Sequence, residues 1–209
     1  MLNTAIRFSA FELSILYPVL MKPPSKTTLH GVFLDVFGLG VLLTGPCGIG
    51  KSELGLSLIS RGHALIADDA VEFGRTTNDA LVGSCHPVLK DFLEVRGLGP
   101  LNIRSMYGDK AIKDQQNLDL IVYVNKLSDN ELINIDRLHG LYRTCNILEM
   151  TVPEVTVPVA AGRDLVALVE AAVLNQKLKL EGYDASETFI SRQEQFMTVE
   201  ANSTEPQNS

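Results

Sequence analysis

The chain has 209 residues, 45% of them hydrophobic, and a formal charge of −7. That length is about one domain, and the apolar share is too large for a disordered chain. The acidic balance, with no run of Lys or Arg, argues against nucleic acid as the main partner. Cys47, Cys85 and Cys145 are widely spaced, no Cys/His pair has zinc-ligand spacing, and a reducing cytoplasm is the expected location. No apolar run approaches the roughly 20 residues of a membrane span, and the start lacks a basic signal region, so no membrane association is expected.

In chain order, residues 1–27 read as a short N-terminal extension that ends in a Pro-rich connector at Lys22, Pro23 and Pro24. Gly31 to Phe37 and Val41 to Thr44 are predicted strands joined by a turn at Gly38, Leu39 and Gly40. Glu53 to Ser60 carries Leu54, Leu58 and Ile59 at helical spacing. Strands are then predicted at Ala64–Ala67, Val71–Phe73 and Leu118–Val124, the last apolar enough to be central, followed by short strands at Cys145–Met150 and Val155–Val157. Helices are predicted over Asp164–Asn175 and Ser186–Phe196, and 199–209 is a polar tail. The pattern is that of a single α/β domain over 28–198, a P-loop kinase-like mixed sheet flanked by helices.

The chemistry starts at Gly45, Pro46, Cys47, Gly48, Ile49, Gly50, Lys51 and Ser52, a complete phosphate-binding loop between a strand and a helix. Backbone N–H groups and a helix N-terminus converge there; Lys51 reaches terminal phosphates and Ser52 can ligate Mg²⁺. Cys47 lies among those N–H groups, a setting that makes a thiol reactive. Asp68 and Asp69, after a strand, admit a plain turn, but at the same sheet edge one could serve Mg²⁺ and the other accept a proton. Glu94 and Arg96, beside Gly97 and Gly99, suggest close backbone approach to an anion, with a turn and surface ion pair equally open. Asn125, Lys126, Leu127 and Ser128 only approach the guanine-selecting pattern of GTPases, because the Asp comes one place late at Asp129.

His30-Gly31, the phosphate loop followed by Glu53, Arg61-Gly62-His63 with Asp68-Asp69, and Leu93 to Gly99 occur in an order and spacing that resemble the catalytic domain of HPr kinase/phosphorylase. The resemblance runs from about Thr28 to Gly182. It implies a hexameric, Mg²⁺- and ATP-using enzyme that phosphorylates a serine of HPr, a phosphocarrier of the sugar phosphotransferase system, and can reverse that step by phosphorolysis. By position, the resemblance implies donor-phosphate binding by Lys51 and its loop, and Mg²⁺ ligation by Ser52 and Glu94. It makes Asp69 the proton acceptor with Asp68 in support, His30 an active-site histidine and Arg137 an active-site arginine. The segment Val157 to Arg163 resembles the part tied to dephosphorylation, and Arg163 ahead of a helix fits an anion site better than it fits the helix dipole.

Three departures matter. About 25 residues stand where long members carry a regulatory domain, so the match is to a truncated form. Ala160-Ala161 replace the family's usual Arg-Pro, which weighs against the reverse reaction more than the forward one. Pro46-Cys47 replace Asp-Ser, and oxidation of Cys47 is expected to block nucleotide binding. The expected function is a serine kinase for HPr or an HPr-like carrier, with the Ser186–Phe196 helix a candidate carrier contact. A small-metabolite kinase and a non-catalytic nucleotide sensor remain the alternatives.

Overall fold

The computed structural model describes residues 26–203. The expected extension before Lys26 and the end of the tail, 204–209, lie outside them. The centre is a six-stranded mixed sheet in the order β11-β12-β10-β3-β2-β4. Its strands are β2 (Val32–Val36), β3 (Leu39–Thr44), β4 (Ala64–Ala67), β10 (Leu120–Asn125), β11 (Tyr142–Ile147) and β12 (Met150–Pro158). β3, β10 and β12 run parallel, whereas β2 is antiparallel to both β3 and β4. Two reversals give β4 the direction of β3, so both end at the same sheet edge.

The sheet is covered differently on its two faces, and the period-2 alternation of its strands sorts the side chains between them. On one face Val32, Leu34, Val41, Leu43, Val122 and Val155 meet helix α1 (Lys51–Ser60) through Leu54, Leu58 and Ile59. The same core takes Leu93 and Val95 of the β7–β8 hairpin (Phe92–Val95, Gly99–Asn102), Ile103 of short helix α2 (Ile103–Tyr107), and Val169 and Val173 of α4 (Leu165–Leu180). On the other face Phe33, Leu42 and Ile121 pack against a four-stranded antiparallel sheet, β1-β5-β6-β9. Its members are β1 (Lys26–His30), β5 (Ala70–Arg75), β6 (Leu81–Cys85) and β9 (Gln115–Asn117). Phe33 and Phe73 are fully buried with an edge-to-face contact at 5.2 Å between ring centroids, worth about 0.5–1.5 kcal/mol beyond area burial. Gly83 fits beneath them because a Cβ there would lie 2.5 Å from both rings.

Most predicted elements are present, β6, β7, β8, β9 and α2 add to them, and three further differences stand out. The stretch read as one strand, Cys145–Met150, is a hairpin: β11 turns at Leu148 and Glu149, both at positive φ, and β12 continues for nine residues. Lys26–His30 is a strand, antiparallel to β5. The last helix, α5 (Ala185–Ser203), outruns its predicted end at Phe196. A capping box at Ser128 and Glu131 starts helix α3 (Asp129–Ile133) where the GTPase-like residues lie. Helix α4 is capped by Asp164, whose side chain accepts from Ala167 N. Among the described residues no helix is long and apolar enough to cross a membrane.

Candidate functional site

β3 delivers the chain into the glycine loop at the sheet edge where β4 delivers Asp68. Gly45 passes so close to β10 that an added Cβ would lie 2.2 Å from Val124 O. Gly50 adopts φ 100° and caps α1, so the helix starts at Lys51 with its N–H groups facing the cleft. Lys51 is buried, 8% exposed, and its Nζ donates to the carbonyls of Gly45 and Pro46 at 3.1 and 3.2 Å. No carboxylate pairs with it among the described residues. A buried cation held only by carbonyl dipoles, beside open N–H groups, is an arrangement for anionic oxygens.

Facing the loop are the two aspartates, in different settings. Asp68 is buried, 8% exposed, and its Oδ2 accepts from Glu94 N at 2.8 Å. Burial pushes its carboxyl above the ordinary value, against the lowering effect of amide hydrogen bonds from Glu94 and Asp69. Asp69 is exposed, adopts φ 65°, and pairs through Oδ1 with His30 Nδ1 at 2.7 Å. Its carbonyl accepts from Gly31 N at 3.2 Å, which fastens the Asp68–Asp69 turn to the end of β1. A non-glycine residue in the left-handed region marks a backbone held by its surroundings. Here His30 and Gly31 supply the hold.

His30, Cys47, Gly48, Gly50, Lys51, Ser52, Asp68, Asp69 and Glu94 line one cleft, so most of the expected site residues come together. Gly45, Pro46 and Ile49 complete the loop behind it. Arg137 and Arg163 do not line the cleft. Arg137 is exposed in the segment after α3, where Asp136 accepts from Leu138 N and His139 N and Ser186 Oγ donates to Leu138 O. Arg163 leaves the same sheet edge after β12 but borders a shallow groove with Tyr142, Leu168 and Asn175. Cys47 is an exposed free thiol at the cleft.

Arg96, read from the sequence either as part of an approach to an anion or as a turn residue with a surface ion pair, also lines the cleft. Its signal in the sequence was the alternation Glu94, Arg96 opposite the buried Leu93 and Val95, which puts both charges on the open face of one hairpin. Ser52 and the carboxylates of Glu94, Asp68 and Asp69 border the same space. Among the described residues no three His, Cys, Asp or Glu form a metal cage of their own. A hydroxyl and one or two carboxylates beside a phosphate loop fit Mg²⁺, which completes its shell with water and substrate phosphates.

The strand–glycine loop–helix unit and its facing carboxylates define a P-loop α/β protein. Residues 22–193 match the family described as HPr Serine kinase C-terminal domain, and the chain belongs to that family. It is 51% identical over 177 residues to the HPr kinase/phosphorylase of Chromobacterium violaceum, covering 85% of this chain and 56% of that protein. It is 53% identical over 168 residues to the HPr kinase/phosphorylase of Neisseria meningitidis, covering 80% and 52%. The chain thus spans about half the length of these curated relatives. Among solved structures, the Hpr(Ser) kinase/phosphatase from Coxiella burnetii superposes with a TM-score of 0.68 at 39% identity, covering 78% of this chain and 98% of that one.

Proposed function

We propose that this chain is a protein serine kinase that transfers the terminal phosphate of ATP, with Mg²⁺, to HPr or an HPr-like phosphocarrier. The observation that carries this is the meeting of Lys51, Ser52, Asp68, Asp69 and Glu94 around one cleft, in a chain whose relatives are named HPr kinase/phosphorylase. A pure nucleotide sensor would not need the facing carboxylates.

Lys51 and the loop N–H groups bind and orient the donor phosphates, and most of the rate gain in phosphoryl transfer comes from such positioning and charge stabilisation. Ser52 and Glu94 would hold Mg²⁺, which neutralises charge on the phosphates when bound. The serine hydroxyl of the carrier enters from the Asp68–Asp69 side. As its oxygen bonds to phosphorus, the bond to the bridging oxygen breaks, ADP leaves, and the hydroxyl proton passes to Asp69. His30 holds the Asp69 carboxylate in position at 2.7 Å, and the buried Asp68 fixes the backbone of Glu94 through its amide.

Reverse phosphorolysis is expected to be the weaker activity, because Ala160 and Ala161 supply no charge next to Arg163. Self-association is expected, up to the hexamer implied by the family resemblance. The exposed Phe189, Phe196 and Met197 of α5 support a contact role for that helix. Three free cysteines agree with a reducing cytoplasm.

The test is incubation of the full chain with HPr, Mg²⁺ and ATP, followed by intact mass spectrometry of the carrier. One phosphate on a serine is the expected result. Unmodified HPr with nucleotide binding intact would shift the reading to another acceptor or to the sensor.

A further inference from the structure

β1 ends where the acceptor side of the cleft begins. Its last residue, His30, reaches Asp69 Oδ1 through Nδ1 at 2.7 Å, and the next, Gly31, donates its N–H to Asp69 O at 3.2 Å. β1 is also a sheet edge: it pairs with β5 on one side, and among the described residues no strand lies on the other. The antiparallel alternation fixes which of its main-chain groups face outward. Gly31 bonds to Asp69, so Leu29 and Thr27 bond to Val71 and Phe73, which stand opposite them. The N–H and C=O groups of Thr28 and His30 therefore point away from β5, along the rim that leads to the cleft.

The other edges of the two larger sheets are closed or remote. On β4, Lys113 N donates to Leu65 O at 2.9 Å and Ile112 bridges to the same residue. β9 has three residues and passes straight to β10, where Asp119 N donates to Gly40 O at 2.8 Å. β11 is separated from the loop-bearing β3 by β12 and β10. An edge strand left in water is normally blunted by proline, a bulge or charge. The middle of β1 has none of these: its five pairs with β5 run in unbroken register, and Thr27, Thr28 and Leu29 are uncharged. Such an edge accepts an added strand.

On the reading of the cleft as a kinase site for a carrier protein, we infer that the carrier docks by adding an extended segment to the open edge of β1. The main chain of that segment bonds to Thr28 and His30. A strand added there runs about 4.7–4.9 Å from β1, so a residue just beyond the position opposite His30 comes within reach of Asp69. The acceptor serine occupies that place. Main-chain pairing supplies affinity without reading side chains, and it fixes the serine beside its proton acceptor. A small hydroxyl compound has no main chain to offer, so the same edge selects a polypeptide acceptor over a metabolite.

The test uses the full chain with HPr, Mg²⁺ and ATP, and compares Thr28→Pro with Thr28→Ala. Proline removes only the outward N–H, which the ladder to β5 does not use, and edge strands accept it there. Thr28→Pro should raise KM for HPr by about 3–10-fold, the worth of one net hydrogen bond, with kcat, nucleotide affinity and melting temperature unchanged. Thr28→Ala keeps the main chain and should leave KM as it is. In the unsubstituted chain bound to a non-hydrolysable ATP analogue, adding HPr should slow hydrogen exchange at the Thr28 and His30 amides and change Thr27 and Leu29 little. That measurement decides the matter even where Thr28→Pro fails to fold. An unchanged KM in folded Thr28→Pro, or an equal rise in Thr28→Ala, would overturn the inference and leave the carrier assignment in place. So would outward amides that are protected before HPr is added or unaffected by it. HPr that is neither bound nor modified would overturn both.

Discussion

At the C-terminal end of α1, Arg61 meets Asp164 at 3.1 Å and Glu170 at 2.8 Å, and the buried His63 meets Glu170 at 3.1 Å. At the N-terminal end of the same helix, Lys51 has only carbonyl partners, Arg96 has no carboxylate among the described residues, and Asp68 carries a carboxyl whose ionised form burial disfavours. Ten residues separate a region where charges satisfy one another from a region where they do not. The first ties α1 to the start of α4 and serves the fold. The second holds unspent electrostatic potential, and that is what a site for a highly charged ligand needs.

The comparison can be broken by experiment. Asp69→Asn should reduce phosphotransfer the most, by about 10²–10⁴-fold, the range for a positioned proton acceptor, with nucleotide affinity nearly intact. Near-normal turnover would remove Asp69 from that role. Lys51→Ala should lower turnover by about 10²–10³-fold and weaken nucleotide binding, with little change in melting temperature. A large loss of stability would mean that Lys51 serves the fold as Arg61 does.

At the opposite end, Glu170→Ala should cost about 1–3 kcal/mol of stability, because it leaves the buried His63 without its partner. Nucleotide affinity of the folded protein should be unchanged. A parallel fall in affinity would show that the two ends of α1 are coupled. The smallest effect is expected at Asp68. Its folded-state pKa is raised, so the native state binds that proton more tightly than the unfolded chain does. Stability therefore falls as pH rises from the ordinary Asp value of about 3.9 through the raised folded value. Asp68→Asn, which keeps an oxygen for Glu94 N, should melt above the unsubstituted chain at neutral pH, and the gap should close below about pH 4. A gap that is constant with pH would point to packing in place of charge.

The sequence made the donor half of the site legible because its geometry is local. Eight consecutive residues build the loop, and their flanking apolar patterns declare the strand and helix. Asp68-Asp69 was legible one step further, through the strand that ends there. Arg96 was legible only as a residue beside an anion or in a turn, because the approach of the hairpin tip to Gly48 is a contact between residues 48 apart that no period records. Arg137 and Arg163 show the converse: position in a resemblance placed them at the site, whereas the fold sets both outside the cleft lining. The β11–β12 hairpin was missed for a chemical reason. Leu148 and Glu149 adopt φ 50° and 66° without the Gly, Asn or Asp that announces such a turn.

The hold of Gly45 and Pro46 on Lys51 has a consequence for conformational entropy. A free lysine side chain loses about 1.5–2 kcal/mol of rotamer freedom when it is fixed. In this fold that loss falls on folding, since Nζ is already tethered to two loop carbonyls in a buried channel. An arriving phosphate exchanges one set of oxygen partners for another and need not order the chain. Nucleotide affinity at this loop should accordingly carry little entropic penalty from its longest side chain.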